Sequence, residues 1–176
     1  PFDYDKLNKI AKKYKIELIA DSAEALGASY KNKKIGSIAK LHSFSFFANK
    51  NITTAEGGMI TTNNSRVYKK LKLLRNHGQT KRYYHTDLGY NYRMTDITAA
   101  FGLVQLKKLK SIMIKKNNLA NRYKYYFLNH PYINIAFEPN YIFEHSWYNF
   151  TITVKSKKFR EYLRKNLDKL GIETRV

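Results

Sequence analysis

The chain contains no cysteine. A disulfide scaffold, a thiolate zinc site and a cysteine nucleophile are thereby excluded. Long apolar runs are missing too: the longest mostly apolar stretch, Ile97 to Leu106, is about ten residues, whereas a membrane-spanning helix needs roughly 20. No apolar signal region opens the chain. The expectation is therefore no membrane helix, no signal peptide and a soluble, cytoplasmic protein. Acidic residues are scarce, with 13 Asp+Glu against 33 Lys+Arg in 176 residues, a formal charge of +20.

That charge invites a nucleic-acid reading. Its distribution argues otherwise. Residues 1–88 hold 17 basic and 7 acidic side chains and residues 89–176 hold 16 and 6, so each half carries +10. Lysine supplies 25 of the 33 cations and arginine 8, although phosphate forks and groove reading favour arginine. A solvated lysine-rich surface is the plain reading. The alternative is a surface directed at anionic partners, either nucleotide ligands or nucleic acid. Hydrophobic residues make up 43% and aromatics 15%, enough for a core, so wholesale disorder is excluded.

Along the chain, Leu7, Ile10 and Ala11 predict a helix over 4–14, with Asp3 as its cap. The apolar run Ile16–Ala20 follows as a strand ending at Asp21. Helix, short turn and apolar strand is the rhythm of an α/β fold, whose strands are usually buried on both faces. Lys31-Asn32-Lys33 reads as a hairpin turn, and 42–46 and 59–62 read as strands. Val67, Leu71 and Leu74 mark a helix after Asn63-Asn64. Residues 76–93 show no periodicity and predict a long loop. One helix is expected from Thr95 and a second over about 109–129. A strand over 150–154, a helix lined by Phe159, Leu163, Leu167 and Leu170 with Gly171 as its stop, and a strand over 172–176 complete the reading. Both ends look cut, since Pro1 already adjoins a helix and Val176 stops within an expected strand.

Four local features cluster at strand ends, where open α/β sheets place their ligands. Asp21 ends a strand, with Glu24 three residues on; a carboxylate there either caps the next turn or partners a cationic ring nitrogen. Lys50 follows the aromatic stretch Phe44-Ser45-Phe46-Phe47 and precedes small polar residues. It is either one more surface lysine or a partly dehydrated amine nucleophile for a carbonyl. Glu56-Gly57-Gly58 allows positive φ or close backbone approach. Asn91 and Arg93 together offer a donor and a fork for a phosphate or carboxylate, or Arg93 is a charge at a helix start.

Their order is more specific than any one of them. Asp21-Ser22-Ala23-Glu24-Ala25-Leu26-Gly27-Ala28, Phe44-Ser45-Phe46 with Lys50, Thr53-Thr54-Ala55-Glu56-Gly57-Gly58-Met59, His77-Gly78, Gly89-Tyr90-Asn91-Tyr92-Arg93-Met94 and Gln105-Leu106 occur in sequence. This succession resembles the DegT/DnrJ/EryC1/StrS family of pyridoxal-phosphate-dependent sugar aminotransferases, in register over roughly residues 1–128 and more loosely beyond.

The resemblance implies an α/β chain of the fold-type-I, aspartate aminotransferase-like class. Residues 1–108 would be the later part of the large cofactor-binding domain, and 109–176 a linker helix with part of the small α+β domain. It implies pyridoxal 5'-phosphate as cofactor and no metal. Lys50 matches the lysine that bonds to the cofactor aldehyde and moves the substrate proton. Asp21 matches the carboxylate on the pyridinium nitrogen, and Glu24 falls where the family carries Gln, His or Glu near the ring. Ser45 matches a hydroxyl on the cofactor phosphate, and Asn91 a residue reaching the phosphate in the neighbouring subunit's site. Arg93 matches a grip on the amino donor's carboxylate. The partners implied are glutamate and a nucleotide-linked ketosugar, with a homodimer sharing its active sites and neither nucleic acid nor membrane as a partner. His145, in a segment like a His-aromatic strand of the small domain, either approaches substrate or packs in a core or interface.

Related sugar 3-dehydratases carry histidine at the lysine position, so Lys50 favours transamination, in the manner of enzymes for 4-amino-4,6-dideoxy sugars. Family members run to about twice this length, and 176 residues alone are expected to be inactive. The competing readings are another fold-type-I enzyme acting on amino acids and a basic nucleic-acid-binding module.

Overall fold

The computed structural model describes residues 1–176 as a mixed α/β chain that divides into two compact units, residues 1–116 with 139–148 and residues 117–138 with 149–176. In the first unit, helix α1 (Tyr4–Tyr14) starts where the Asp3 carboxylate accepts the Lys6 N–H at 3.1 Å. It leads into strand β1 (Ile19–Asp21), which pairs in parallel with β4 (Leu41–Ser45). Between them, β2 (Ser29–Tyr30) and β3 (Lys33–Lys34) form the expected hairpin. Its tight turn places Lys31 at a φ of 51°. Strand β5 (Gly58–Thr61) runs antiparallel to β4, so the sheet order is β1-β4-β5.

The pattern of β4 explains the core. His42 and Phe44, with Phe46 just beyond the strand, turn to the buried side, while Leu41, Ser43 and Ser45 occupy the other. The buried side packs with Tyr4, Ala20, Ala28, Tyr30, Ile35 and Ile52, flanked by Leu109 and Ile112. Each phenylalanine removed from water contributes about 1.5–3 kcal/mol. Burial on both faces, expected from the apolar strands, is not found: Ile19, Met59 and Ile60 stand exposed.

Helix α2 (Ser65–Leu74) is capped by Asn64, whose side-chain oxygen accepts the N–H groups of Arg66 and Val67, each at 3.0 Å. The long loop expected after it contains a small hairpin, β6 (Gln79–Lys81) and β7 (Tyr84–His85). Both strands are too short and too polar to show a period. The two helices expected from Thr95 onward are one, α3 (Asp96–Phe127), of 32 residues. The Lys107-Lys108-Leu109-Lys110 stretch holds only good helix formers, so nothing breaks it. Gly102 brings this helix against the loop after β4: a Cβ there would lie 2.9 Å from the Thr54 methyl. Strand β9 (Ile142–Glu144) pairs with β2.

In the second unit, β8 (Ile133–Ile135) pairs antiparallel with β10 (Ile152–Val154), and helix α4 (Lys157–Lys169) follows, its Ser156 hydroxyl accepting the Phe159 N–H at 3.2 Å. Gly171 ends the helix at a φ of 73°, as expected. Neither the strand expected over 172–176 nor a strand over 145–150 forms. No helix is long and apolar enough to cross a membrane.

Candidate active site

Because β1 and β4 pair with Asp21 opposite Ser43, the strand period puts Asp21, Ser43 and Ser45 on one face of the sheet. Asp21 is exposed, and its Oδ1 accepts the Ala23 N–H at 3.0 Å, so it does cap the turn that follows. Its other carboxylate oxygen makes no hydrogen bond within the chain. The Ser45 hydroxyl accepts the Phe47 N–H at 3.3 Å, and Ser45 lies opposite Gly58, where no side chain competes for space.

The chain then turns, with the Lys50 N–H donated to the Phe47 carbonyl at 3.0 Å. Unlike the surface lysines, Lys50 keeps only 14% of its side chain exposed. Its Nζ lies 3.7 Å from the Glu24 carboxylate and 4.5 Å from the centroid of the Tyr148 ring. An ammonium over a ring face is attracted by the π quadrupole. Glu24 therefore faces the lysine. The loop behind is closed by Thr54, whose hydroxyl donates to the Glu56 carbonyl at 2.6 Å. Gly57, at a φ of 153°, packs so tightly that a Cβ would meet the Thr54 hydroxyl oxygen at 2.4 Å. Its freedom is thus spent on packing the lysine loop.

Asn91 and Arg93 meet each other, Arg93 Nε donating to Asn91 Oδ1 at 3.0 Å. Both are exposed. No hydrogen bond or ion pair joins either to Asp21, Ser45 or Lys50 within this chain. His145 accepts the Trp147 N–H at 2.9 Å through Nδ1, and the two rings lie 4.2 Å apart.

Residues that sequence reading missed surround the lysine. Asn51 is buried and donates through Nδ2 to the Leu26 carbonyl at 3.1 Å and the Ser146 carbonyl at 2.9 Å. Lys116, from α3, donates to Asn51 Oδ1 at 2.8 Å and to the Trp147 carbonyl at 3.1 Å. Burial pushes the Lys116 ammonium below the usual lysine range. Spacing offers no signal for these contacts, which join residues 25 to 95 positions apart. Behind β1, His42 is fully buried. Its Nε2 accepts the N–H groups of Ile38 and Ala39 at 3.2 and 2.9 Å, which leaves Nδ1 to carry the proton toward the Ser22 hydroxyl at 2.9 Å. Burial lowers the pKa of His42.

The Lys50 amine, a carboxylate oxygen of Asp21 and the Ser45 hydroxyl thus all lie at or just past strand ends. The sequence matches the DegT/DnrJ/EryC1/StrS aminotransferase family over residues 1–176. The chain belongs to that family. GDP-perosamine synthase of Escherichia coli O157:H7 is 38% identical over 177 residues, covering 99% of this chain and 48% of that protein. The solved structure of Helicobacter pylori PseC, an aminotransferase of pseudoaminic acid biosynthesis, superposes with a TM-score of 0.89 at 34% identity, covering 97% of this chain and 47% of the other. The E. coli GDP-4-keto-6-deoxy-D-mannose-3-dehydratase with bound hydrated PLP gives 0.90 at 30% identity, covering 99% and 50%. As a family member, the chain spans about half the length of the curated relatives it matches.

Proposed function

We propose that this chain carries the lysine-bearing part of a pyridoxal-phosphate-dependent aminotransferase acting on nucleotide-linked sugars. The observation that carries the reading is the Lys50 amine, near the Glu24 carboxylate and the Tyr148 ring, just past a sheet face that bears Asp21 on β1 and Ser45 on β4. Lys50 would hold the cofactor covalently, Asp21 its ring nitrogen through the free carboxylate oxygen, and Ser45 its phosphate. When bound, pyridoxal phosphate supplies an aldehyde carbon and an electron-withdrawing ring for amino-group transfer. The Lys50 amine would also take and return the substrate proton, with the Glu24 carboxylate 3.7 Å away.

Glutamate is the amino donor on this reading, and a 4-keto-6-deoxy sugar on a nucleotide the acceptor, for aminosugar and cell-surface polysaccharide synthesis in the cytoplasm. The perosamine and pseudoaminic acid enzymes among its relatives support that acceptor class. The lysine favours transamination over dehydration. Residues 1–108 then belong to the large cofactor-binding domain and 109–176 to the linker helix and small domain. Asn91, Arg93 and His145 would complete the site, Asn91 in a neighbouring subunit. Ile97, Leu103, Val104 and Leu106 leave an exposed apolar surface that a second copy would cover.

The test uses protein from the whole reading frame that encodes this chain. Pyridoxal phosphate should give a visible absorption band that Lys50→Ala removes, with glutamate-dependent amination of a nucleotide ketosugar exceeding that of plain keto acids. A band retained in Lys50→Ala rejects the assignment, and preference for plain keto acids favours an enzyme of amino-acid metabolism.

A further inference from the structure

Lys116 is a half-buried cation with no counter-ion. Its partners, the Asn51 side-chain oxygen and the Trp147 carbonyl, are neutral, and it takes part in no ion pair. Removing an ammonium from water without a carboxylate costs free energy that an apolar side chain of the same length would avoid. Packing alone is therefore a poor account of this residue.

What the ammonium does is close a network. Asn51 uses both of its amide groups: Oδ1 accepts from Lys116, and Nδ2 reaches the Leu26 and Ser146 carbonyls. The Ser146 hydroxyl in turn donates to the Glu24 carbonyl at 2.7 Å. Each group around the Lys50 amine adjoins a member of this network. Lys50 precedes Asn51, Glu24 contributes its own backbone carbonyl, and Tyr148 follows Trp147. Three segments remote in sequence are thus tied to one another next to the residues that face the amine.

We propose that Lys116 and Asn51 are positioning residues that hold the Lys50 amine between the Glu24 carboxylate and the Tyr148 ring. They touch neither the amine nor any reacting atom. Their effect runs through the backbone carbonyls of Leu26, Ser146 and Trp147. The inference rests on the reading of Lys50 as the reactive amine, and the experiment separates the two.

Cofactor-free protein from the whole reading frame is labelled with acetic anhydride, and the rate at each lysine is read by peptide mass spectrometry. Lys116→Met is expected to change the rate at Lys50 while leaving the exposed Lys9 unaltered. With glutamate and GDP-4-keto-6-deoxymannose, kcat should fall about 100-fold while KM for the sugar stays constant, because a small misplacement of a reacting group has a cost of that order. Lys116→Arg keeps the N–H donors and should recover most of the rate. Asn51→Ala removes the same network from its other side and replaces Lys116→Met should that variant fail to fold. Unchanged labelling of Lys50 with wild-type kcat in a folded variant overturns the inference, as does a loss that merely tracks thermal stability and alters all lysines alike. Lys50→Ala is the control: if it retains the cofactor band, the reading of Lys50 fails, whatever Lys116→Met does.

Discussion

The Lys50 ammonium and the Glu24 carboxylate lie 3.7 Å apart although 26 residues separate them, and the lysine is the better buried of the two. The pair brings the turn after β1 to the loop after β4. It gives the Lys50 amine a neighbour of opposite charge.

Replacing Lys50 with alanine should remove covalent cofactor and lower amination by roughly 10⁴-fold, the upper range for a positioned proton-transfer group. Steady-state rates of the folded variant check this.

Asp21→Asn separates two roles of one side chain. The amide oxygen can still accept the Ala23 N–H, so the turn survives, while the negative charge is gone. Thermal stability should stay near that of the parent, with kcat reduced by about 100-fold or more, since electrostatic stabilisation by a preorganised group is of that size. Calorimetry and kinetics on one sample give both values.

Gly57→Ala meets both a φ of 153° and an oxygen 2.4 Å from the new carbon. A loss of about 1–3 kcal/mol is expected from strained backbone of this kind. Chemical denaturation measures it. Because the loop carries Lys50, cofactor affinity should fall with stability.

Acid should weaken the first unit through His42. Its folded pKa lies below the ordinary value of 6.5, so the unfolded chain binds the proton more readily. The stability contributed by neutral His42 is complete above 6.5 and is lost as pH falls below it toward the folded pKa. Unfolding free energies followed from pH 7.5 to pH 5 should show this slope, and His42→Gln should reduce it.

The 176 residues alone should show weak or no turnover under conditions where the product of the whole reading frame is active. Robust amination by the isolated chain contradicts this.

Much of the fold could be read from local signals. Asp3 caps the first helix as its sequence predicts, the helix after Asn64 starts where the sequence places it, and the alternating stretch 42–46 forms strand β4. Elements without a period escaped: the polar hairpin around Tyr84, and β8 and β9 of three residues each. The break expected near residue 109 fails because charged residues suit a helix as well as a domain boundary. In the candidate site, motif order marks Lys50, Asp21 and Glu24. It leaves Asn51, Ser146, Tyr148 and Lys116 unmarked, because contacts across up to 95 residues leave no trace in spacing. Nor did the motif suggest that Gly57 serves packing against Thr54.

The unbroken run of α3 gives the lysine loop a ruler. Gly102 touches Thr54 at one end of that loop and Lys116 holds Asn51 at the other, both from the same rod. Fourteen residues of helix separate the two marks, about 21 Å of rise. One residue inserted between them would rotate Lys116 by about 100° while Gly102 kept its place. The helical phase of α3 thus sets whether Lys116 can reach Asn51, the residue next to Lys50.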